Sequence, residues 1–198
     1  MVAPTTAATP TATGTAPDCV LMPELTEGPY YLDLDLVRRD IIEDRPGAPL
    51  ELAVTVVDAD SCSPIAGAAV DVWHCDARGA YSGVQGDSGA FLRGIQTTGD
   101  DGVASFATVY PGWYQGRAVH IHVKVHVGGD EEHTGQLFFD DALTASVYEA
   151  EPYAERGEPD TPSDADGIYA QSEGSTIVAV ERAGDGYAGT VTLGVRAT

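Results

Sequence analysis

Short runs of β-branched and apolar residues recur along the chain from residue 51 onward, and stretches rich in Gly, Pro and Asp separate them. The pattern gives candidate strands at residues 51–58, 68–75, 102–110, 118–127, 134–140, 175–182 and 190–196. Many short strands with turn signals between them are typical of a β-sandwich. We therefore predict an all-β sandwich of seven or more strands, with long loops and at most one or two short helices.

Outside these runs the sequence predicts little regular structure. Residues 141–150 are a helical candidate that Asp140 or Asp141 would cap and that ends before Pro152. Residues 151–173 are acidic and contain several Pro and Gly, which predicts a long surface loop. Residues 2–17 are small residues, Thr and Pro, so residues 1–17 are predicted to be a disordered tail or linker. Residues 18–198 then form a single domain.

The composition of the tail also bears on location. Tracts of Ala, Thr and Pro often follow a cleaved signal peptide, so we expect a secreted, extracellular protein. Residues 1–17 themselves contain neither the basic region nor the apolar region of a signal peptide.

The charge of the chain excludes several classes of partner. Lys and Arg number 10 against 31 Asp and Glu, which gives a net charge of -21. Such a field repels phosphate backbones and anionic membranes, so we expect no nucleic-acid binding. Since no apolar run approaches the roughly 18 residues that a membrane helix needs, we also expect no membrane insertion.

The three cysteines leave more than one pairing open. Cys62 lies in a predicted turn and Cys75 ends the strand that follows it, so these two are too far apart to form a disulfide. We favour Cys19–Cys62 with Cys75 free. A Cys19–Cys75 bridge and three buried thiols are the alternatives.

Residues 118–127, AVHIHVKVHV, carry the most informative pattern. Because strand side chains alternate, His120, His122, Lys124 and His126 point to one face and the valines and Ile121 to the other. Two histidines at i and i+2 have Cα atoms about 6.6 Å apart, close enough to bind one metal ion. A polar strand face without metal explains the pair equally well. His74, His126 and His133 lack such spacing and are expected to be structural or exposed.

Tyrosines upstream of the histidines change the balance between these two interpretations. Tyr110, Tyr114 and Arg117 lie just before His120, and Tyr81 lies on a Gly-flanked loop directly after a predicted strand. Tyrosines in a β protein are usually amphipathic core or rim residues. Phenolates are, however, hard anionic ligands that favour Fe(III), and two phenolates with two imidazoles would hold ferric iron.

Several motifs in this order resemble the intradiol ring-cleavage dioxygenases, the family of catechol and protocatechuate dioxygenases. Residues 73–81 resemble the strand and loop that carry the family's first tyrosine ligand, and residues 106–122, FATVYPGWYQGRAVHIH, the segment with its second tyrosine, an arginine and both histidines. Residues 26–30, TEGPY, resemble the stretch that covers the substrate pocket, and residues 135–139, GQLFF, a later strand with an active-site glutamine. The matches run from about residue 19 to 140.

The resemblance implies a set of residue roles. The ligands of one non-haem Fe(III) per chain would be Tyr81, Tyr114, His120 and His122. The catalytic residues would be Tyr114, Arg117 and Gln136, and the substrate-binding residues Pro29, Tyr30, Trp73 and Arg117.

The same resemblance implies the reaction. The enzyme would use O₂ to convert catechol-type aromatic diols to cis,cis-muconates. Arg117 would stabilise negative charge that develops on the ring. Because the net charge disfavours anionic substrates, we expect neutral catechols rather than carboxylated ones.

Two departures from the family pattern affect these expectations. The usual Arg-Pro-Ala before the histidines is here Arg117-Ala118-Val119. The helical segment on which catechol dioxygenases dimerise is missing, so we expect a monomer.

Two other interpretations compete with the dioxygenase one. Residues 63–73 and 97–114 also resemble the transthyretin-like β-sandwich modules of secreted proteins, which are non-catalytic binding modules. That resemblance leaves Tyr81, the Gly-Pro-Tyr stretch and the His pair unexplained. A zinc or copper site on His120 and His122 with a hydrolase role would leave both tyrosines unused.

The neighbouring residues Tyr110 and Tyr114 are both candidate second tyrosines. In the predicted strand 102–110, Tyr110 lies on the same face as Phe106, which predicts a core or rim position. Tyr114 follows the Pro111-Gly112 turn six residues before His120, and a short loop between two ligands costs little closure entropy. The pattern therefore favours Tyr114 as the ligand.

Overall fold

The structure is a computed structural model that describes residues 19–84, 86–128 and 131–196. The predicted tail, residues 1–17, lies outside them. The described residues form eight strands in two four-stranded sheets, which confirms the predicted all-β sandwich. The strands are β1 (Pro49–Asp58), β2 (Ala69–Trp73), β3 (Arg93–Thr97), β4 (Val103–Val109), β5 (His120–Val127), β6 (Glu131–Phe138), β7 (Ala179–Ala183) and β8 (Gly186–Val195).

The first sheet has the strand order β4-β1-β8-β7. Strand β1 alternates apolar and polar residues, and its apolar face is fully buried at Leu50, Leu52, Val54 and Val56. It pairs antiparallel with β4 and parallel with β8, from Leu50 opposite Tyr187 onward. The first and last strands of the domain therefore lie side by side in the middle of this sheet.

The second sheet, in the order β3-β2-β5-β6, is antiparallel throughout and carries the two candidate histidine ligands on β5. On β5, Ile121, Val123 and Val125 are fully buried in the core between the sheets, as the alternation predicts. His120 and His122 are buried as well, although they point to the other face. A second layer therefore covers that face.

The covering layer includes the segment that precedes β1. Its first residues are attached to both sheets, because Met22 N–H donates to Gly194 O (2.7 Å) and Leu25 N–H to Thr134 O (2.9 Å). The residues that follow, 26–31, then pass over β5.

Two regions differ from the sequence prediction. Strand β3 was not predicted, because RGIQT lacks a period-two apolar pattern. The prediction of a long surface loop at 151–173 is wrong in part. This region contains 3₁₀ turns at Tyr153–Glu155 and Ser163–Ala165 and a helix at Gly167–Ser172, and it buries Tyr153 and Asp166.

The predicted helix is present but shorter than expected. It spans Asp141–Val147 (α1), and the Asp140 side chain caps it by accepting a hydrogen bond from Leu143 N–H. The helix at Gly167–Ser172 (α2) is capped in the same way by Asp166. Across the three described ranges, no helix is both long and apolar enough to cross a membrane.

The favoured disulfide is confirmed. Cys19 and Cys62 are bonded with a Cα–Cα distance of 5.4 Å, and Cys75 is free and buried. The bridge ties the start of the covering segment to the turn after β1.

Replacing both bridged cysteines by serine is expected to lower the free energy of unfolding by about 4 kcal/mol. The reason is that the bridge closes a loop with a sequence separation of 43 and so restricts the unfolded chain. Urea denaturation of the variant and of the wild type measures the difference. Reductant should destabilise the wild type to the same extent and leave the variant unchanged; equal stabilities without reductant would contradict the expectation.

Candidate metal centre

The two histidines on β5 converge at the covered face of the second sheet. Cross-strand pairing sets His122 opposite Trp73 of β2 and Gln136 of β6, and His120 opposite Phe138. The Nε2 atoms of His120 and His122 lie 3.2 Å apart. Both ring nitrogens are therefore directed at one small volume.

His120 is held in a form that can bind a metal. Its Nδ1 lies 2.7 Å from Ala118 O, and since a carbonyl oxygen only accepts, Nδ1 carries the proton. The lone pair of Nε2 then faces the site, as in histidines that bind metals. Burial lowers the pKa of His120 to about 3, so the ring is neutral at ordinary pH.

His122 is held in place mainly by packing against its neighbours. Its ring stacks on Trp73 with a centroid distance of 4.9 Å and an interplanar angle of 8°. On another side lies Gly28, with φ +71°, where an added Cβ would be 3.2 Å from His122 Cε1. Burial, and then the neighbouring His120, lower the pKa of His122 well below its usual value. The Nδ1 of His122 is buried and makes no hydrogen bond with any described residue.

The two predicted tyrosines lie beside the histidines. Tyr114 Oη is 3.1 Å from His120 Nε2. The Tyr81 ring centroid is 5.7 Å from that of Tyr114 and 6.2 Å from that of His122. Within the described ranges the Tyr81 hydroxyl is buried and has no hydrogen-bond partner of normal geometry. Burial raises the pKa of both phenols, most strongly that of Tyr81.

Tyr110 occupies the position that the strand register predicts. It is fully buried in the core, and its hydroxyl is 2.7 Å from Thr144 Oγ1 of α1. The Tyr110 side chain therefore packs in the core and does not lie beside the histidine pair.

Arg117 connects the tyrosine to two further residues. Its guanidinium donates to Tyr114 Oη (3.3 Å), to Gln136 Oε1 (2.5 Å) and to Asp166 Oδ2 (2.9 Å). Gln136 is fully buried and donates in turn to Thr26 O at 2.8 Å. Arg117 therefore has a defined orientation beside the phenol, with one of its neighbours tied to the covering segment.

Asp166 was not predicted as a site residue. Burial alone would raise the pKa of this carboxyl, but hydrogen bonds from the Ala118 and Ile168 amides and the charge of Arg117 outweigh it and lower the pKa. The carboxylate is therefore ionised and pairs with Arg117. An N-cap signal, Asp before a short helix, was available in the sequence, but nothing in it pointed to Arg117, 49 residues away.

A cavity of about 300 Å³ opens beside the two phenols, and its walls are Tyr30, Gly79, Tyr81, Val84, Tyr114 and Gln115. Tyr30 comes from the covering segment, and its ring lies 4.6 Å from that of Tyr81. The preceding Pro29 is exposed. Trp73, predicted to contact substrate, is 1% exposed and lies behind His122. The structure thus places Trp73 as a support for a histidine and not at the cavity wall.

The donor set is compatible with ferric iron. In the parts of the chain that the structure describes, no group of three or more His, Cys, Asp and Glu side chains converges on a metal position. The two neutral imidazoles supply two nitrogen ligands. The Tyr114 phenol, which lies beside them, and the buried Tyr81 phenol supply two potential anionic oxygens, and this donor set suits Fe(III). That these four residues bind iron stays a prediction.

Comparisons with known proteins agree with this combination of fold and residues. The family described as dioxygenase matches residues 23–151, more than half of the chain. The chain is therefore a dioxygenase-type β-sandwich, and it belongs to the intradiol ring-cleavage dioxygenase family.

Two solved structures cover almost the same range as this chain. An intradiol ring-cleavage dioxygenase from Tetranychus urticae has a TM-score of 0.85 and 34% identity, over 90% of this chain and 95% of that chain. The dioxygenase domain of a dioxygenase carbohydrate-binding protein fusion from Streptomyces sp. SirexAA-E has a TM-score of 0.69 and 28% identity, over 90% and 100%.

The curated relatives are longer. Catechol 1,2-dioxygenase 1 from Acinetobacter lwoffii is 37% identical over 102 residues, which are 46% of this chain and 32% of that protein. Chlorocatechol 1,2-dioxygenase from Pseudomonas putida is 29% identical over 136 residues, 58% of this chain and 52% of that protein. The chain thus spans between a third and about half of the length of these two relatives.

Proposed function

We propose that this protein is an intradiol ring-cleaving dioxygenase that binds one non-haem Fe(III) and uses O₂ to convert catechol-type diols to cis,cis-muconates. The observation that carries the proposal is the convergence of Tyr81, Tyr114, His120 and His122 beside an open cavity. The family is generally Fe(III)-dependent, which supports the choice of metal. Bound Fe(III) would supply the redox centre that makes the catechol ring reactive toward O₂.

The protein's own residues then have separable tasks. Tyr114 Oη lies at the cavity, between His120 Nε2 and Arg117, so it is the hydroxyl best placed to exchange a proton with an arriving catechol. Burial raises the pKa of the Tyr114 phenol, which favours its protonated form and so its capacity to hold a proton. His120 and His122 stay neutral and serve as nitrogen donors.

Arg117 provides the positive charge at the reacting ring. Its guanidinium stays protonated throughout, and Asp166 and Gln136 fix its plane before substrate arrives. A cation held in advance costs no reorganisation when negative charge develops during the reaction. Arg117 thus acts on the transition state more than on binding.

The cavity bears on the class of substrate. Its volume of about 300 Å³ accommodates one substituted aromatic ring, and the Tyr30 ring can pack against the ring's face. The net charge of -21 disfavours anionic substrates, so the proposed substrates are neutral catechols. One ring and one O₂ account for all four oxygen atoms of a muconate.

The location and assembly state are part of the same proposal. The Cys19–Cys62 disulfide is of the kind that persists in oxidising compartments, which supports a secreted protein. The proposed assembly state is a monomer.

The iron-loaded protein is expected to be red-brown and to consume O₂ when catechol is added. Phenolate-to-Fe(III) charge transfer gives the colour, and cleavage between the two hydroxyl-bearing carbons gives a muconate with both atoms of one O₂. Mass spectrometry of the product formed under ¹⁸O₂ is the measurement. A yellow semialdehyde, the product of cleavage outside the diol, or a colourless protein with stoichiometric zinc would refute the proposal.

A further inference from the structure

The turn that leads into Tyr114 is held by side chains at four consecutive backbone carbonyls. Residues 110–113 lie between β4 and β5, outside both sheets, so their carbonyls have no strand partners. Each accepts a hydrogen bond from a side chain instead: Tyr110 O from Tyr153 Oη (2.6 Å), Pro111 O from Tyr148 Oη (2.9 Å), Gly112 O from Cys75 Sγ (3.3 Å) and Trp113 O from Arg156 Nη1.

Three of these four donors belong to one short stretch, residues 148–156, between α1 and α2. Tyr148 and Tyr153 are 4% and 1% exposed and stack on each other at a centroid distance of 5.0 Å. Because both rings are packed in the core, their hydroxyls are fixed in space. The stretch therefore acts as a rigid template for the backbone that precedes Tyr114.

Arg156 extends this template to the second tyrosine loop. The same Nη1 that donates to Trp113 O also donates to Arg78 O at 2.6 Å, and the guanidinium lies 4.1 Å from the centre of the Trp113 ring. Trp113 directly precedes Tyr114, and Arg78 is three residues before Tyr81. One guanidinium thus holds the backbones of both loops.

The loop that carries Tyr81 and the loop that carries Tyr114 pack closely at Gly79, with no space for a side chain there. Gly79 has φ +80°, and an added Cβ would overlap both Trp113 O and Arg156 Nη1. Glycine at this point lets the Tyr81 loop approach the Tyr114 loop closely, and Arg156 occupies the junction.

We propose that Arg156 is a positioning residue that sets the separation of the Tyr81 and Tyr114 hydroxyls, and so the geometry of the two oxygen ligands. The inference rests on the proposed function, since it concerns the iron ligands. It assigns a role to a residue that contacts the cavity wall only from behind, at Gly79, and that has no described contact with the four ligand side chains. Arginine is required because a planar guanidinium can bond to two carbonyls and stack on an indole at once, whereas a lysine ammonium cannot.

The test compares Arg156→Met and Arg156→Lys with Arg78→Met and the wild type, all loaded with Fe(III). Methionine keeps apolar contact with Trp113 but donates no hydrogen bond. Lysine keeps the charge and can donate hydrogen bonds, but it lacks the planar group that stacks on the Trp113 ring. Arg78 is a matched control, because its side chain makes an exposed ion pair with Glu155, and such pairs contribute little to stability. The readouts are the position of the visible absorption band and the half-time of iron loss to an excess of chelator.

We expect Arg156→Met to shift the band and to lose iron to the chelator about 10–100-fold faster, in line with the usual loss of metal affinity when a group that supports a ligand is removed. Arg156→Lys should give a smaller change, and Arg78→Met should match the wild type. Arg156→Met with an unchanged band and unchanged iron loss would overturn the inference. If that variant fails to fold, the same two readouts on Arg156→Lys decide the question. A wild-type protein without any visible band would instead refute the proposed function.

Discussion

Replacing Tyr114 by phenylalanine is expected to bleach much of the visible band of the iron-loaded protein and to lower kcat by about 10²–10⁴-fold, the range for losing a group that transfers a proton. The substitution removes one oxygen, which lies 3.1 Å from His120 Nε2 and 3.3 Å from Arg117 Nη1. The ring, which packs against Tyr30 and Tyr81, is retained. Absorption spectra of iron-matched samples, with and without catechol, and steady-state kinetics measure both effects.

The matched control is Tyr110→Phe, four residues earlier. The Tyr110 hydroxyl bonds to Thr144 Oγ1, whose own proton goes to Asp140 O, so its loss removes one buried hydrogen bond. The expected cost is about 1 kcal/mol of stability, with the iron spectrum nearly intact. If Tyr110→Phe bleaches the protein and Tyr114→Phe does not, the proposed ligand set is wrong.

Replacing Arg117 by alanine is expected to leave iron and colour in place and to reduce kcat by about 10²–10³-fold. Arg117 touches the phenol of Tyr114 but is no metal ligand in the proposal, so the metal should stay bound. What is lost is a cation fixed in advance at the site where negative charge develops. Because such an interaction acts mainly in the transition state, kcat and kcat/KM should fall together. Steady-state kinetics on samples of measured iron content test this.

Two further variants separate charge from orientation. Arg117→Lys keeps the charge but cannot contact Tyr114, Gln136 and Asp166 at once, so its activity should lie between those of the wild type and the alanine variant. Asp166→Asn keeps a cap for α2 but removes the charge that pairs with Arg117. Full activity in Arg117→Ala, or loss of its iron, would show that the role of Arg117 has been misassigned.

The histidine strand could be predicted from sequence because its information is local. Period-two alternation over residues 118–127 places Ile121, Val123 and Val125 in the core and the histidines opposite, which the structure confirms. The burial of the histidines themselves did not follow from the pattern, since it depends on the segment 26–31 folding over that face. A polar strand face that is exposed to solvent and one that is covered by another segment give the same alternating sequence pattern.

Strand β3 could not be predicted from the local sequence pattern. Arg93 and Gly94 are both buried in it, so the residues that a pattern would mark as exposed or flexible lie in the sheet. The Arg93 side chain donates to Ser82 Oγ (2.9 Å) and Ser82 O (2.8 Å), in the irregular loop that connects β2 to β3. A strand stabilised by its neighbours in this way carries little signal of its own.

The prediction for the region 151–173 is wrong in part for a related reason. Its acidic residues and its Pro and Gly are typical of loops, yet Tyr153, Arg156 and Asp166 each bond to groups near the candidate metal centre. Each of these bonds spans 43 or more residues of sequence, so no local window contains both partners. Specific polar contacts between distant irregular segments are what a single sequence reveals least.

The parallel pairing of β1 with β8 has a consequence for how the chain comes to be folded. Strand β1 pairs with β8 in the middle of the first sheet, and Met22 N–H donates a hydrogen bond to Gly194 O. The part of the domain that is synthesised first therefore cannot form these contacts until the last strand has been made. Long-range pairing of this kind delivers its contact energy only after a large loop has closed, which slows folding. Nascent chains that lack β8 cannot complete the first sheet, so this half of the sandwich assembles only after β8 has been synthesised.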